Sequence, residues 1–336
     1  MYTFDMLVVG ASGGIDETDL SAYLLKPVDS EWSDGIVALE AGSGQGALAR
    51  ILRDNPTLLG EDNNHCAADL YDSVVSYVIS HAHLDHTSSL ILAAGSCSGR
   101  RKRIYAAKDV LDALMDHIFQ GTIWPQLASF SEDDASHLYL LKEIRLKYQP
   151  IHCDISLRRM PVSHGDDYES SAFFIRHDPS QKEFLFFGDV APDKLSKNPR
   201  LGHVWAETAR KFPEQLSTIF IECSFPSGHP DELLFGHLSP EHLLDELTTL
   251  ATEVALRDSR KNTLRRPKKK QRSAGNPDAL KGKLDGLRVV IIHCKTDLKT
   301  KIHPRETIVQ QVKDLVKQAG LGAEIIAAVQ GMHISI

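Results

Sequence analysis

No apolar run in this 336-residue chain approaches the ~20 residues that a membrane-spanning helix needs, and the longest are only strand-sized. A membrane partner is therefore not expected. Cysteine is scarce: Cys66, Cys97, Cys153, Cys223 and Cys294 are scattered with no C-x-x-C spacing and read as core thiols of a reducing compartment. The opening Met1-Tyr-Thr-Phe-Asp-Met-Leu-Val-Val-Gly10 lacks a basic leader and reads as a first strand, so no signal peptide is expected and the cytoplasm is the expected location. Nucleotide fingerprints are missing too. Gly10-Ala-Ser-Gly-Gly14 and Gly42-Ser-Gly-Gln-Gly46 fit neither G-x-G-x-x-G nor a P-loop, and both read as tight turns after strands. With 42% hydrophobic and 25% charged residues, the chain can bury a sizeable core, and one domain over residues 1–336 accounts for it.

What the chain does have is His81-Ala82-His83-Leu84-Asp85-His86, four potential metal ligands within six residues. They follow Ser73-Val-Val-Ser-Tyr-Val-Ile-Ser80, a β-branched and aromatic run that reads as a strand. The two-residue period of extended chain turns His81 and His83 to the same side, toward one ion. Asp85 and His86 come after the chain turns and are placed to start a second site, so the spacing predicts two metals. Imidazoles crowded beside a carboxylate are costly to hold together without a cation. That donor set suits zinc, with manganese or iron as the other choices, better than calcium or magnesium.

This H-x-H-x-D-H after a strand resembles the metallo-β-lactamase superfamily. The resemblance implies an α/β fold, an αββα sandwich of two mixed β-sheets flanked by helices, with a dinuclear site at one edge. Further ligands are then expected at later strand ends, and three candidates stand in order. His164 lies in Met160-Pro-Val-Ser-His-Gly165, after an expected strand around Ile151 to Leu157. Asp189 ends Phe184-Leu-Phe-Phe-Gly-Asp189, where a carboxylate at the tip of so apolar a strand makes a good bridging ligand. His293 ends Leu287-Arg-Val-Val-Ile-Ile-His293. The expected sets are His81, His83 and His164 for one ion, and Asp85, His86 and His293 for the other, with Asp189 between them.

Other segments narrow the resemblance to the class II cyclic-nucleotide phosphodiesterases. They are Ser21-Ala-Tyr-Leu24, Phe187-Gly-Asp189, Ile221-Glu-Cys-Ser-Phe225, Phe235-Gly-His-Leu-Ser-Pro-Glu-His-Leu243 and Ile292-His-Cys-Lys295, spread over nearly the whole chain. The resemblance implies hydrolysis of 3′,5′-cyclic nucleotides, cyclic AMP and in second place cyclic GMP, to nucleoside 5′-monophosphates by a metal-bridging hydroxide. Two departures stand out: Thr87-Ser88-Ser89-Leu90 where a glycine is commoner, and Thr18-Asp19-Leu20 where an asparagine is expected. Homodimers are common among related folds, and a homodimer is left open here.

Glu222 and His237 add a chemical reading of their own. Glu222 ends the apolar Thr218-Ile-Phe-Ile-Glu222, and His237 opens a helix through Ser239-Pro240-Glu241. A carboxylate that orients an imidazole makes a proton donor for a leaving oxygen, so His237 is the expected general acid and Glu222 its orienter. Asp85 is counted with them as a catalytic residue through its metal. His242, further into the helix, is expected to pack or face solvent.

From Arg257 to Arg272, nine bases meet one acid. With the polar sequence that continues to Gly286, this reads as a disordered basic insertion, 257–286, and leaves nuclear access open. Removing its +8 from the formal net charge of −7 leaves −15 on the rest of the chain. So acidic a surface would repel a long nucleic acid, and no nucleic-acid partner is expected. That weighs against the alternative reading, a tRNase Z-like RNA 3′-processing endonuclease using the same metal site. The stretch from Ile104 to Tyr148 reads as helical, with apolar spacing in Val110-Leu111-Leu114-Met115-Ile118-Phe119.

Overall fold

The computed structural model describes residues 2–60, 65–95, 100–134, 137–265, 279–297, 299 and 303–336. Its strands are β1 (Phe4–Gly10), β2 (Ser12–Gly13), β3 (Ala22–Pro27), β4 (Ile36–Leu39), β5 (Val74–Val78), β6 (Lys102–Ala106), β7 (Ala128–Ser129), β8 (Tyr139–Glu143) and β9 (Gln149–His152). The second half adds β10 (Ile155–Ser163), β11 (Glu169–His177), β12 (Lys182–Phe187), β13 (Leu216–Glu222), β14 (Arg288–Ile292), β15 (Cys294–Lys295), β16 (Glu324–Ala327) and β17 (His333–Ser335). The helices are α1 (Gln45–Asp54), α2 (Ala67–Asp72), α3 (Leu84–Ala93), α4 (Lys108–Ala113), α5 (Leu201–Lys211), α6 (Pro240–Arg265) and α7 (Pro304–Ala319). Among the described residues, no helix is long and apolar enough to cross a membrane.

Two large mixed sheets form, ordered β17-β1-β3-β4-β5-β6-β8-β7 and β16-β14-β13-β12-β11-β10-β9. Side-chain alternation along each strand explains how they stack. Met6, Val8, Tyr23, Leu25, Val37 and Leu39 of the first sheet meet Phe173, Ile175, Phe184, Phe186, Phe220 and Val290 of the second in one buried layer. The intervening residues face outward. Leu7, Val9, Leu24 and Ala38 pack with Leu48, Leu70, Leu90 and Val110 of α1 to α4. Phe174, Leu185, Phe187 and Ile219 pack with Trp205 of α5, Leu247 of α6 and Ile308 of α7. The order is helix, sheet, sheet, helix, the expected αββα sandwich. Strands buried on both faces read as unbroken apolar runs, which is why Phe184-Leu-Phe-Phe187 shows no polar alternation.

Strand direction sets where the functional side chains emerge. β12, β13 and β14 run parallel, and β10 shares their direction through antiparallel β11. In the other sheet β4 and β5 run parallel. The C-terminal ends of β10, β12, β13 and β14 therefore lie along one edge of their sheet, where loops can carry ligands.

Four expectations are corrected. The basic insertion is not irregular throughout: α6 continues to Arg265, and Arg257 stays in the fold because its guanidinium donates to the carbonyls of Ala209, at 2.7 Å, and Phe212 at the end of α5. At the other end of the expected insertion Leu284 is buried, and the rest of the call, 266–278, lies outside the described residues. Among its described residues the stretch from Ile104 to Tyr148 is helical only over α4 and the π-helical turn Leu114–Ile118, while β6 and β8 take its ends. The thiols are core residues only at Cys223 and Cys294; Cys66 and Cys153 are exposed, and Cys97 lies outside the described residues. Cys153 precedes Asp154, whose φ of +58° turns β9 into β10, so the single strand expected near Ile151 to Leu157 is a tight hairpin.

Phe186 lies at the centre of the intersheet layer, 5.2 Å from the Tyr23 ring and 5.8 Å from that of Phe220. Phe186→Ala is expected to cost about 3–5 kcal/mol, read as a lowered denaturant midpoint with an unchanged slope.

Candidate metal centre

Three groups of donors converge at the strand-end edge. They are His81, His83, His164 and Asp189; then Asp85, His86, Asp189 and His293; then Glu222, His237 and His293. β5 ends at Val78 and α3 begins at Leu84, so His81 and His83 sit in the connection, His83 at the helix N-cap, and Asp85 and His86 on the first helical turn. His164 directly follows β10, and Asp189 comes two residues after β12. His293 follows β14 in a left-handed conformation, φ +56°, a strained backbone for a residue with a Cβ.

Asp189 sits between the first two groups, with one oxygen toward each. Its Oδ2 lies 3.7 Å from His81 Nε2 and 3.8 Å from His164 Nε2. Its Oδ1 lies 3.3 Å from both His86 Nε2 and His293 Nε2, and is buried with no hydrogen-bond donor. His81 Nε2 and His83 Nδ1 are 3.0 Å apart, and His293 Nε2 is 3.3 Å from Asp85 Oδ2. Ligands about 2.0–2.1 Å from a tetrahedral zinc stand about 3.3–3.4 Å from one another. The donor spacings fit that polyhedron at two adjacent positions, and the orphaned Oδ1 is an acceptor suited to a cation.

The opposite ring nitrogens are held as metal-bound imidazoles require. Ser80 Oγ lies 2.9 Å from His81 Nδ1, the Gly236 carbonyl 2.9 Å from His164 Nδ1, and Ser224 Oγ 3.1 Å from His293 Nδ1. Burial pushes His81 well below its ordinary pKa, and burial takes His164 down to about 4. Burial would raise the Asp189 carboxyl, yet the His293 and His86 imidazoles hold it well below the carboxylate range. His81 and His164 are thus kept in the unprotonated form that coordinates metal, whereas at His86 burial opposes charge but the Asp189 and Glu40 carboxylates raise the pKa well above its ordinary value.

Glu222, fully buried, anchors the third group. Its Oε1 accepts from Val190 N at 2.8 Å and lies 2.9 Å from His237 Nδ1, and its Oε2 accepts from Ser224 Oγ at 2.6 Å. Burial opposes charge on His237, but the carboxylates of Glu222 and Asp189 raise its pKa above the ordinary value. His242 turns away to Ser239 Oγ, 2.8 Å from its Nδ1. The two departures from the class II pattern are structural fits. Buried Thr87 donates to the His83 carbonyl at 3.0 Å, and Asp19 accepts from Ala11 N, Ser12 Oγ and Arg305 at 2.7–2.9 Å.

Sequence reasoning missed three supports. Glu40 accepts from Ser80 N at 3.1 Å and has an oxygen 3.4 Å from His86 Nδ1. Its signal was present, since it ends the apolar β4 as Asp189 follows β12. Tyr168 stacks on the His83 ring at 4.7 Å and 3°, and its hydroxyl accepts from Ala82 N at 3.2 Å. Ser224 joins Glu222 to His293. No sequence period points to the last two, because their contacts are made across loops.

The glycines read as tight turns also make room for the site. A Cβ at Gly13 would lie 2.2 Å from His293 Cε1, and one at Gly42 would lie 2.1 Å from the Asp85 carbonyl oxygen. Gly13→Ala is expected to displace His293 and lower the zinc retained after dialysis, measured by elemental analysis, with an unchanged far-ultraviolet dichroism spectrum. Full zinc retention would show that the ring tolerates the shift.

Comparison with known proteins places this arrangement. A family model described as class-II cAMP phosphodiesterases matches residues 60–331. A 3′,5′-cyclic-nucleotide phosphodiesterase of Aliivibrio fischeri is 30% identical over 98% of this chain and 92% of its own length. One from Saccharomyces cerevisiae is 26% identical over 96% of each chain. In fold, the crystal structure of unliganded yeast PDE1 superposes with a TM-score of 0.81 at 23% identity, covering 100% of both chains. A metallo-β-lactamase fold protein from Bacillus subtilis, YhfI, gives 0.56 at 13% identity over 99% of each. The sandwich is thus metallo-β-lactamase-like, and with the family model spanning most of its length the chain belongs to the class-II cyclic AMP phosphodiesterases.

Proposed function

We propose that this chain hydrolyses the 3′-ester bond of 3′,5′-cyclic AMP, and of cyclic GMP as a second substrate, releasing the nucleoside 5′-monophosphate. The observation that carries this reading is Asp189, whose two oxygens face separate donor groups next to the Glu222–His237 pair. His81, His83 and His164 would hold one divalent ion, Asp85, His86 and His293 a second, and Asp189 both, with zinc the best match to these donors. When bound, such a pair supplies Lewis acidity at the phosphoryl oxygens and a water acidified toward neutrality.

The chain's own residues do the rest. His237 keeps Nδ1 on Glu222 Oε1, so its Nε2 is the atom that carries a proton to the leaving O3′ as the P–O3′ bond breaks. Glu222 holds that ring in one orientation and favours its charged form. With Val190 N and Ser224 Oγ also on its oxygens, Glu222 cannot swing away. The oxygen gained at phosphorus comes from water, and the product carries one more ionisable phosphate oxygen than the substrate.

RNA 3′-processing is the weaker reading. The likeness to human tRNase Z, short form, is one of fold, with a TM-score of 0.55 at 12% identity, and the chain's acidic balance outside its basic stretch disfavours a long polyanion.

Zinc-loaded protein is expected to convert cyclic AMP to 5′-AMP, and Asp189→Ala to abolish that turnover together with metal binding. No turnover of either nucleotide by fully metallated protein would overturn the reading. His237→Gln is expected to lower kcat about 10²–10⁴-fold for cyclic AMP, but far less for a diester leaving as p-nitrophenolate, which needs no proton. Equal losses on both substrates would remove His237 as the acid.

A further inference from the structure

Phe235 is the most exposed large apolar side chain on the described surface, at 70%, and its φ of +52° is left-handed. Both features are costly for phenylalanine. Neither follows from a loose loop, because the segment from β13 to α6 is tied down. His229 stacks on Phe225 at 4.0 Å and 9°, and its Nε2 lies 3.1 Å from the Leu233 carbonyl oxygen. Ser227 N donates to Gln311 of α7 at 2.9 Å, and Leu234 is buried. Gly236, which follows Phe235, holds His164 Nδ1 through its carbonyl, and a Cβ there would strike Gly165 N at 2.3 Å. The strained turn thus does two things at once: it brings backbone to a candidate metal ligand and leaves an aromatic ring outside.

Phe235 lines a cavity of about 390 Å³ whose walls include Gly165, Gly236, Ala191 and Leu195. Gly165 and Gly236 are the chain neighbours of His164 and His237, and Ala191 is two residues from Asp189, so residues flanking three of the donors form part of its wall. Asp166, Asp231 and Glu232 line it as well. Carboxylates would repel a phosphate there but can accept from the exocyclic amino group of a purine.

We propose that Phe235 is the stacking platform for the purine base of the cyclic nucleotide, and that this cavity is the base subsite. The proposal rests on the phosphodiesterase reading. A rigid aromatic face costs little ordering entropy on binding and accepts any base, because every base has a π-face. The cyclic phosphate then stays over the histidine and aspartate donors while the base lies away from them. Adenine and guanine should both use this ring, so it contributes affinity for the base without choosing between them.

The test compares zinc-loaded wild type, Phe235→Ala and Phe235→Trp on cyclic AMP, cyclic GMP and the base-free 3′,5′-cyclic phosphate of 1-deoxyribose, with zinc content and sedimentation recorded for each protein. Phe235→Ala is expected to raise KM for both nucleotides about ten-fold or more. Its kcat/KM on the base-free compound should match wild type, and Phe235→Trp should restore KM. An unchanged KM overturns the proposal. So does an equal loss on the base-free compound, which would make Phe235 a support of the His164 turn. A change in sedimentation without a change in KM also overturns it, and assigns the ring to contact with a second copy of the chain. Wild type that turns over neither nucleotide removes the phosphodiesterase reading and this proposal together, whereas active wild type with an indifferent variant removes the proposal alone.

Discussion

The Asp189 carboxylate is the point on which the rest of the site depends. It is almost fully buried, stands within 3.8 Å of five imidazoles, and leaves Oδ1 without a donor. A buried anion in such a place is tolerable only if positive charge meets it. Imidazoles supply part of that charge if they protonate, but burial works against protonation at His81, His83 and His164. Bound divalent cations would resolve the conflict, since they would let the imidazoles stay neutral and the carboxylate stay ionised. The sandwich can be seen as a means of holding this arrangement still. Gly188, just before Asp189, lets the strand end pass Ser80, since a Cβ there would lie 2.1 Å from Ser80 Oγ.

Much of this was legible because strands report their ends. An apolar run buried on both faces must stop where the chain meets water, and a titratable residue at that point breaks the pattern visibly. His81, Asp189, Glu222 and His293 all announce themselves in this way, and Glu40 does so too, though its meaning became clear only from its position behind His86. His237 was readable through a different signal, the Ser-Pro helix start that follows it. Tyr168 and Ser224 were not readable. A stack between loops and a hydroxyl linking two strand ends depend on how loops fold against one another, and no local period encodes that.

The basic stretch shows where composition misleads. Its charge density fits irregular chain, yet the helix begun at Pro240 continues to Arg265, because a base at the right turn has carbonyls to satisfy. Arg257 lies against the end of α5, and Asp258 joins Lys283 at 2.9 Å on the segment leading to β14. Charge alone could not foretell this, since the deciding partners come from α5 and from residues beyond the insertion. The error from Ile104 to Tyr148 has the same origin. Helical spacing across Val110 to Phe119 is real, but β6 and β8 on either side are fixed by pairing with each other, a non-local contact that period cannot show.

Charge at the two length scales points the same way. The chain is acidic overall, and outside its basic stretch it carries −15 by formal count. At long range that field resists polyanions. At short range the edge of the sandwich gathers imidazoles and carboxylates whose balance favours divalent cations, and bound cations would reverse the sign of the local field. A small substrate with a single charge would face a modest long-range penalty and, with cations bound, a strong local attraction, whereas the penalty from the net negative charge grows with the charge of the ligand. Screening weakens the outer field, which at physiological salt fades within about 8 Å, while the buried site is screened far less. That balance is one ground for proposing a compact, singly charged phosphodiester rather than a long polyanion as the substrate.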